Sequence, residues 1–210
     1  MKVYAEHFPE KNVRRKTLLQ FGDSTELIGS AVLANPGSAA PIDKKFDKSV
    51  ITQFYQKVHK AVMDTKDWYP FSDDPTMRWL EKIFNGWYVN KNNKTIELNG
   101  VVQLFNCFYI MNPDREIAIK QFVNKPEFVF NESKYFLDKP VYFGWGNLGT
   151  NKALSEIARN IFTGYNSEYT PIYNTGFENN KFYHPQYINI NYGRNDEIKR
   201  ILKGFHRLIK

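Results

Sequence analysis

Leu27-Ile28-Gly29-Ser30-Ala31-Val32-Leu33-Ala34 is an unbroken, mostly apolar run closed by Asn35-Pro36-Gly37. A short run of this kind, ended by turn-forming residues, is the pattern of a strand buried on both faces, as in parallel sheets. Two later segments share it: Val101-Val102-Gln103-Leu104-Phe105-Asn106 and Val141-Tyr142-Phe143-Gly144-Trp145.

Helical patterns separate these runs. From Ser49 to Thr65, the residues Val50, Ile51, Phe54, Val58, Ala61 and Val62 recur at helical spacing. Asp74-Pro75 opens a second helix, with a capping carboxylate and a proline at its first position, and Gly86 marks its end. Pro113 to Phe122 and Asn151 to Phe162 read as two more helices. Thr170 to Tyr173 reads as a short fourth strand, and the basic amphipathic C-terminus as a last helix. Strands alternating with helices predict parallel pairing through right-handed crossovers. The expected fold is therefore an α/β three-layer sandwich on a four-stranded, mainly parallel sheet, a single domain over residues 1–210.

The composition sets the outer bounds. Apolar residues make up 42% of the chain and Phe and Tyr are abundant, which excludes a disordered chain. The net charge of +7 favours a polyanionic partner such as nucleic acid. Cys107 is the sole cysteine, so neither an internal disulfide, a zinc-thiolate site nor an iron–sulfur cluster is expected, and the chain fits a reducing cytoplasm. His7, His59, His184 and His206 have no metal-ligand spacing, and no cofactor or metal is expected. No apolar run is long enough to span a membrane, and the N-terminus lacks a signal-peptide core. Phosphate-binding G-x-x-x-x-G-K-[ST] and hydrolase G-x-S-x-G motifs are both missing from the sequence.

In an open parallel sheet, the carboxyl ends of the strands share one crevice, so the strand tips deserve a chemical reading. Asn35-Pro36-Gly37-Ser38-Ala39-Ala40 is a turn of small residues that lets backbone N–H groups approach a ligand, and it equally suits a plain turn. Asn106 offers one acceptor and two donors, matching a pyrimidine edge or capping the next turn. His184-Pro185 holds a histidine in extended backbone within an aromatic, polar loop.

In order and spacing, Asn35-Pro36-Gly37, Leu104-Phe105-Asn106, Val141 to Gly146 and His184-Pro185 resemble the uracil-DNA glycosylase superfamily. That superfamily has a water-positioning loop, a base-reading Asn, a strand ending Trp-Gly and a His-Pro loop, in that order. The first loop looks closer to the mismatch-specific branch, with its Asn-Pro-Gly, than to the uracil-specific one. Gln186 stands where a serine is usual after His-Pro. The chain also looks like a prokaryotic and phage family with NP-S-x-A, D-P-T-x-R and W-G elements, here Asn35 to Ala40, Asp74 to Arg78 and Trp145-Gly146.

The resemblance implies a monofunctional DNA glycosylase acting as a monomer on a flipped pyrimidine, with anti-phage defence as one setting. It implies Asn35 and His184 as catalytic and Asn106, Phe46 and Gly37 as base-binding. Asp43, Asp74 and Arg78 are candidates for water activation or phosphate contact, and Ser38, Gln186, Tyr187 and Arg194 for DNA contact. For Asp74 the simpler role is that of a helix cap. Alternatives to the glycosylase are an enzyme acting on free nucleotides or nucleosides and a catalytically inactive nucleic-acid-binding module.

Overall fold

A computed structural model describes residues 1–123, 128–130, 133–148, 151–165 and 172–209. Among these residues, six strands form one mixed sheet: β1 (Lys2–Phe8), β2 (Val13–Phe21), β3 (Leu27–Leu33), β4 (Trp68–Phe71), β5 (Gly100–Asn106) and β6 (Val141–Phe143). Their spatial order is β4-β1-β2-β5-β3-β6. The described helices are α1 (Ser49–His59), α2 (Pro75–Phe84), α3 (Arg115–Val123), α4 (Lys152–Thr163), α5 (Pro185–Asn191) and α6 (Asp196–Ile209).

The α/β class holds, but the four-stranded, mainly parallel sheet does not. Of the described strands only β5, β3 and β6 run parallel; β2 pairs with β5, β1 with β2 and β4 with β1, all antiparallel. The extra half of the sheet eluded the sequence pattern for physical reasons. Arg14, Arg15 and Lys16 interrupt the apolar run of β2, and Pro70 makes Trp68–Phe71 a poor strand candidate. That proline sits on the edge strand, where a missing N–H costs no ladder bond. The expected strand Thr170 to Tyr173 lies partly outside the described residues; its last two residues, Ile172 and Tyr173, are in a turn.

Alternating residues split the core between the two faces. Val3, Ala5, Leu19 and Val102 meet Met77, Leu80 and Ile83 of α2, whereas Tyr4, Leu18 and Val101 meet Ile51, Phe54 and Tyr55 of α1. Tyr142 turns to Phe205 of α6, and Phe143, one residue on, to Phe162 of α4. The sheet is thus covered on both faces. Helix α1 is shorter than its apolar pattern because Lys60 adopts a left-handed conformation (φ 52°) and ends it. Beneath it, His59 Nε2 pairs with Gln103 Oε1 at 2.8 Å, and Gln103 donates to Ser30 Oγ and to the Tyr135 carbonyl. This histidine is spent on a buried polar network. No helix among the described residues is long and apolar enough to cross a membrane.

Candidate functional site

The strand order creates a switch point within the parallel part: β5, reached from β3 by way of the edge strand β4, lies on one side of β3, and β6 on the other. Crevices at the carboxyl ends of such strands are the usual ligand sites of open α/β sheets. Here the strand ends are laced together. Cys107 N donates to the Leu33 carbonyl at 2.8 Å, and Gly144 N to the Val32 carbonyl at 2.9 Å. The three tips enclose a cavity of roughly 550 Å³, a size that suits a small ligand.

Asn35, Asn106 and His184, far apart in sequence, all line this cavity. Asn106 closes β5 at 2% exposure, and its side-chain amide makes no hydrogen bond within the described residues. A desolvated amide left open toward a cavity is what a ligand edge would satisfy. Asn35 is more committed: its Nδ2 donates to the carbonyls of Pro36 (2.9 Å) and Asn112 (3.1 Å), which pins the β3 loop to the β5 loop. Its Oδ1 remains the acceptor available for a water.

His184 is the N-cap of α5. Its Nδ1 accepts from Gln186 N at 3.2 Å, so the neutral ring carries its proton on Nε2. Burial, reinforced by the positive charge of Arg115 and opposed by Asp74, pulls its pKa from 6.5 to about 4. The ring is therefore a neutral N–H donor at physiological pH. Two bonds hold the strap that carries it: Gly146 N donates to the Phe182 carbonyl at 2.7 Å, and the buried Tyr142 hydroxyl to the Tyr183 carbonyl at 2.5 Å. Gly146 itself needs its left-handed φ of 72° to make that turn.

Asp74 has two roles at once. Oδ1 accepts from Met77 N at 2.9 Å and caps α2, as the Asp-Pro pattern predicts. Oδ2 faces the β3 loop, where a Cβ added to Gly37 would stand 3.1 Å from it. Gly37 thus allows the loop to approach a cavity carboxylate.

Other expected residues fall elsewhere. Phe46 stacks on Tyr4 at 5.3 Å in the α1-side core, so it does not line the cavity as a base platform. Asp43 is exposed and outside the lining, and neighbouring Asp47 accepts from the backbone N–H and hydroxyl of Ser49. Arg78 pairs with Asp73 on the surface at 2.9 Å. Ser38, Gln186 and Tyr187 do reach the rim, whereas Arg194 is exposed beyond it. The segment from Gln186 to Asn191 is helical, so Tyr187 and Ile190, 47% and 62% exposed, project one turn apart at the mouth. Trp145 is 1% exposed and packs on Phe182, yet one edge borders the cavity.

Two arginines escaped the sequence reading. Arg14 enters because antiparallel β2 begins where β5 ends, shown by its N–H donating to the Tyr109 carbonyl. Arg115 comes from the start of α3. A positive side chain in a first helical turn opposes the helix dipole, and that was the available signal. For Arg14 there was none, since Val13-Arg14-Arg15-Lys16 reads as a solvated charge run. Burial lowers the proton affinity of both guanidiniums, that of Arg14 to about 10, and both stay charged at neutral pH.

The described residues contain no group of three His, Cys, Asp or Glu side chains that could hold a metal ion. Compared with known protein-family models, curated proteins and solved structures, the chain matches none of them.

Proposed function

We propose that the chain is a monofunctional DNA glycosylase that hydrolyses the N-glycosidic bond of a flipped, non-standard or modified pyrimidine and leaves an abasic site. The observation that carries this reading is the convergence of Asn35, Asn106 and His184 on one cavity at the switch point of the sheet.

Cleavage of this bond puts negative charge on the departing base and positive charge on the sugar. Asn106 reads the base edge. His184 donates its Nε2–H to a base oxygen as charge develops there, and a neutral donor stabilises that charge without first transferring a proton. Asp74 Oδ2 stabilises the sugar cation and, with Asn35 Oδ1, orients the attacking water. No lysine among the described residues lines the cavity, so no Schiff-base step is included. Tyr187 and Ile190 at the mouth are shaped to fill the gap left by an extruded base, and the net charge of +7 favours the DNA backbone. The enzyme acts as a monomer in the cytoplasm, and defence against phages with modified DNA is one setting for it.

The test is release of free base from DNAs containing uracil, mismatched, hydroxymethylated or glucosylated pyrimidines. Wild type is expected to release base from one of them, and His184→Ala and Asn106→Ala to slow release about 100-fold or more, as loss of a transition-state hydrogen bond does. Absence of release from every substrate, or full activity in both variants, overturns the proposal.

A further inference from the structure

Arg14 is 1% exposed yet has no carboxylate within 4.0 Å among the described residues. Its Nη1 donates to the Ala39 carbonyl at 3.1 Å, its Cζ lies 5.4 Å from the centre of the Phe71 ring, and its Nε has no hydrogen-bond partner. Arg115, also lining the cavity, likewise has a buried Nε without a partner and no ion pair among the described residues. A buried guanidinium is costly unless an anion meets it. Among the described residues, the lining contains one carboxylate, Asp74, against two guanidiniums, and half of that carboxylate is occupied by the cap of α2. The described lining therefore carries an excess of positive charge. The first turns of α2 and α3, where Thr76 and Arg115 lie, add their dipoles to it.

We infer that Arg14 and Arg115 make this cavity a phosphate-binding site, so that a phosphate mono- or diester enters it together with the base. The guanidinium fork matches a phosphate oxygen pair, and the buried Nε donors of Arg14 and Arg115, which have no protein partner, are completed by it. The inference rests on the cavity being the ligand site of the proposed glycosylase, but not on base excision itself. A phosphate from either of two sources fits: the diester beside a flipped nucleotide or the monoester of a free nucleotide.

Inorganic phosphate is the base-independent probe. At constant ionic strength, a tenfold excess over Kd is expected to raise the Tm of wild type by about 3 °C or more, with chloride as the control. Arg14→Met and Arg115→Met are each expected to abolish most of that rise. Arg115→Met, at a helix start, keeps the test open if the Arg14 variant fails to fold. Circular dichroism checks the fold of both. A response no larger than that to chloride, or one unchanged in the folded variants, overturns the inference.

Once phosphate binds, an abasic oligonucleotide and deoxyribose 5-phosphate compete for the site. Tighter binding of the oligonucleotide assigns the phosphate to DNA, and tighter binding of the sugar phosphate to a free nucleotide. Phosphate binding without base release would leave this inference standing and remove the glycosylase. Base release that neither phosphate nor the two variants affect would do the reverse.

Discussion

His184→Asn separates what this residue does for the fold from what it does for chemistry. Asparagine is as good an N-cap as any residue, so its amide oxygen can replace Nδ1 as acceptor for Gln186 N, while the titrating ring disappears. In wild type the folded-state pKa is about 4 against 6.5 for a free histidine, because burial and Arg115 disfavour the imidazolium and Asp74 offsets them only partly. The unfolded chain thus binds more protons than the folded one between these values, and stability rises with pH across that window. The contribution is fully present above pH 6.5 and is lost as pH falls toward 4. Two and a half pH units at about 1.4 kcal/mol each set its full size at roughly 3 kcal/mol, an upper value for a half-buried ring. That corresponds to about 6–12 °C in Tm for a chain of this length.

Urea and thermal unfolding of wild type and His184→Asn, followed from about pH 4 to 7.5, read this out directly. Near neutrality the two proteins should differ by a few tenths of a kcal/mol. As pH falls, wild type should lose stability faster, by up to about 1.4 kcal/mol per unit. A difference curve that is flat over this range, or one that slopes the other way, would refute a buried neutral histidine. Base release by His184→Asn should be lost at every pH, because the Nε2–H donor is gone.

Asp74 can be split in the same way. Asp74→Ala removes the cap of α2 and is expected to cost about 1 kcal/mol, or 2–4 °C in Tm. Asp74→Asn keeps an oxygen for Met77 N, so it should cost less while slowing base release about 100-fold; full activity would leave Asp74 as a cap alone. Gly146→Ala forces a side chain onto a φ of 72°, at about 1–2 kcal/mol. The new Cβ would lie 3.4 Å from His184 Cβ, an ordinary contact, so thermal denaturation should show backbone strain without a clash.

The sequence by itself determined the parallel half of the sheet and its tips. Val101–Asn106 and Leu27–Leu33 are strands because unbroken apolar runs bounded by turn residues have no other good use, and Asp74-Pro75 starts a helix through local chemistry alone. The tips of β3 and β5 then had to share one end of the sheet, which made Asn35 and Asn106 legible together, whereas His184, the cap of α5, joined them only through the resemblance.

Only the tertiary structure decided the rest, because the deciding contacts are long-range. The antiparallel strands β1, β2 and β4 have patterns broken by charge and proline, and pairing across the sheet rather than local propensity makes them strands. Phe46 went to the core because Tyr4 offered it an aromatic face. Arg14 went to the cavity because the start of β2 lies beside the end of β5, and no local signal in Val13 to Lys16 separates a buried arginine from a solvated one. Local chemistry writes turns and caps into the sequence, whereas the burial of a charge is settled by whatever distant residues the fold brings around it.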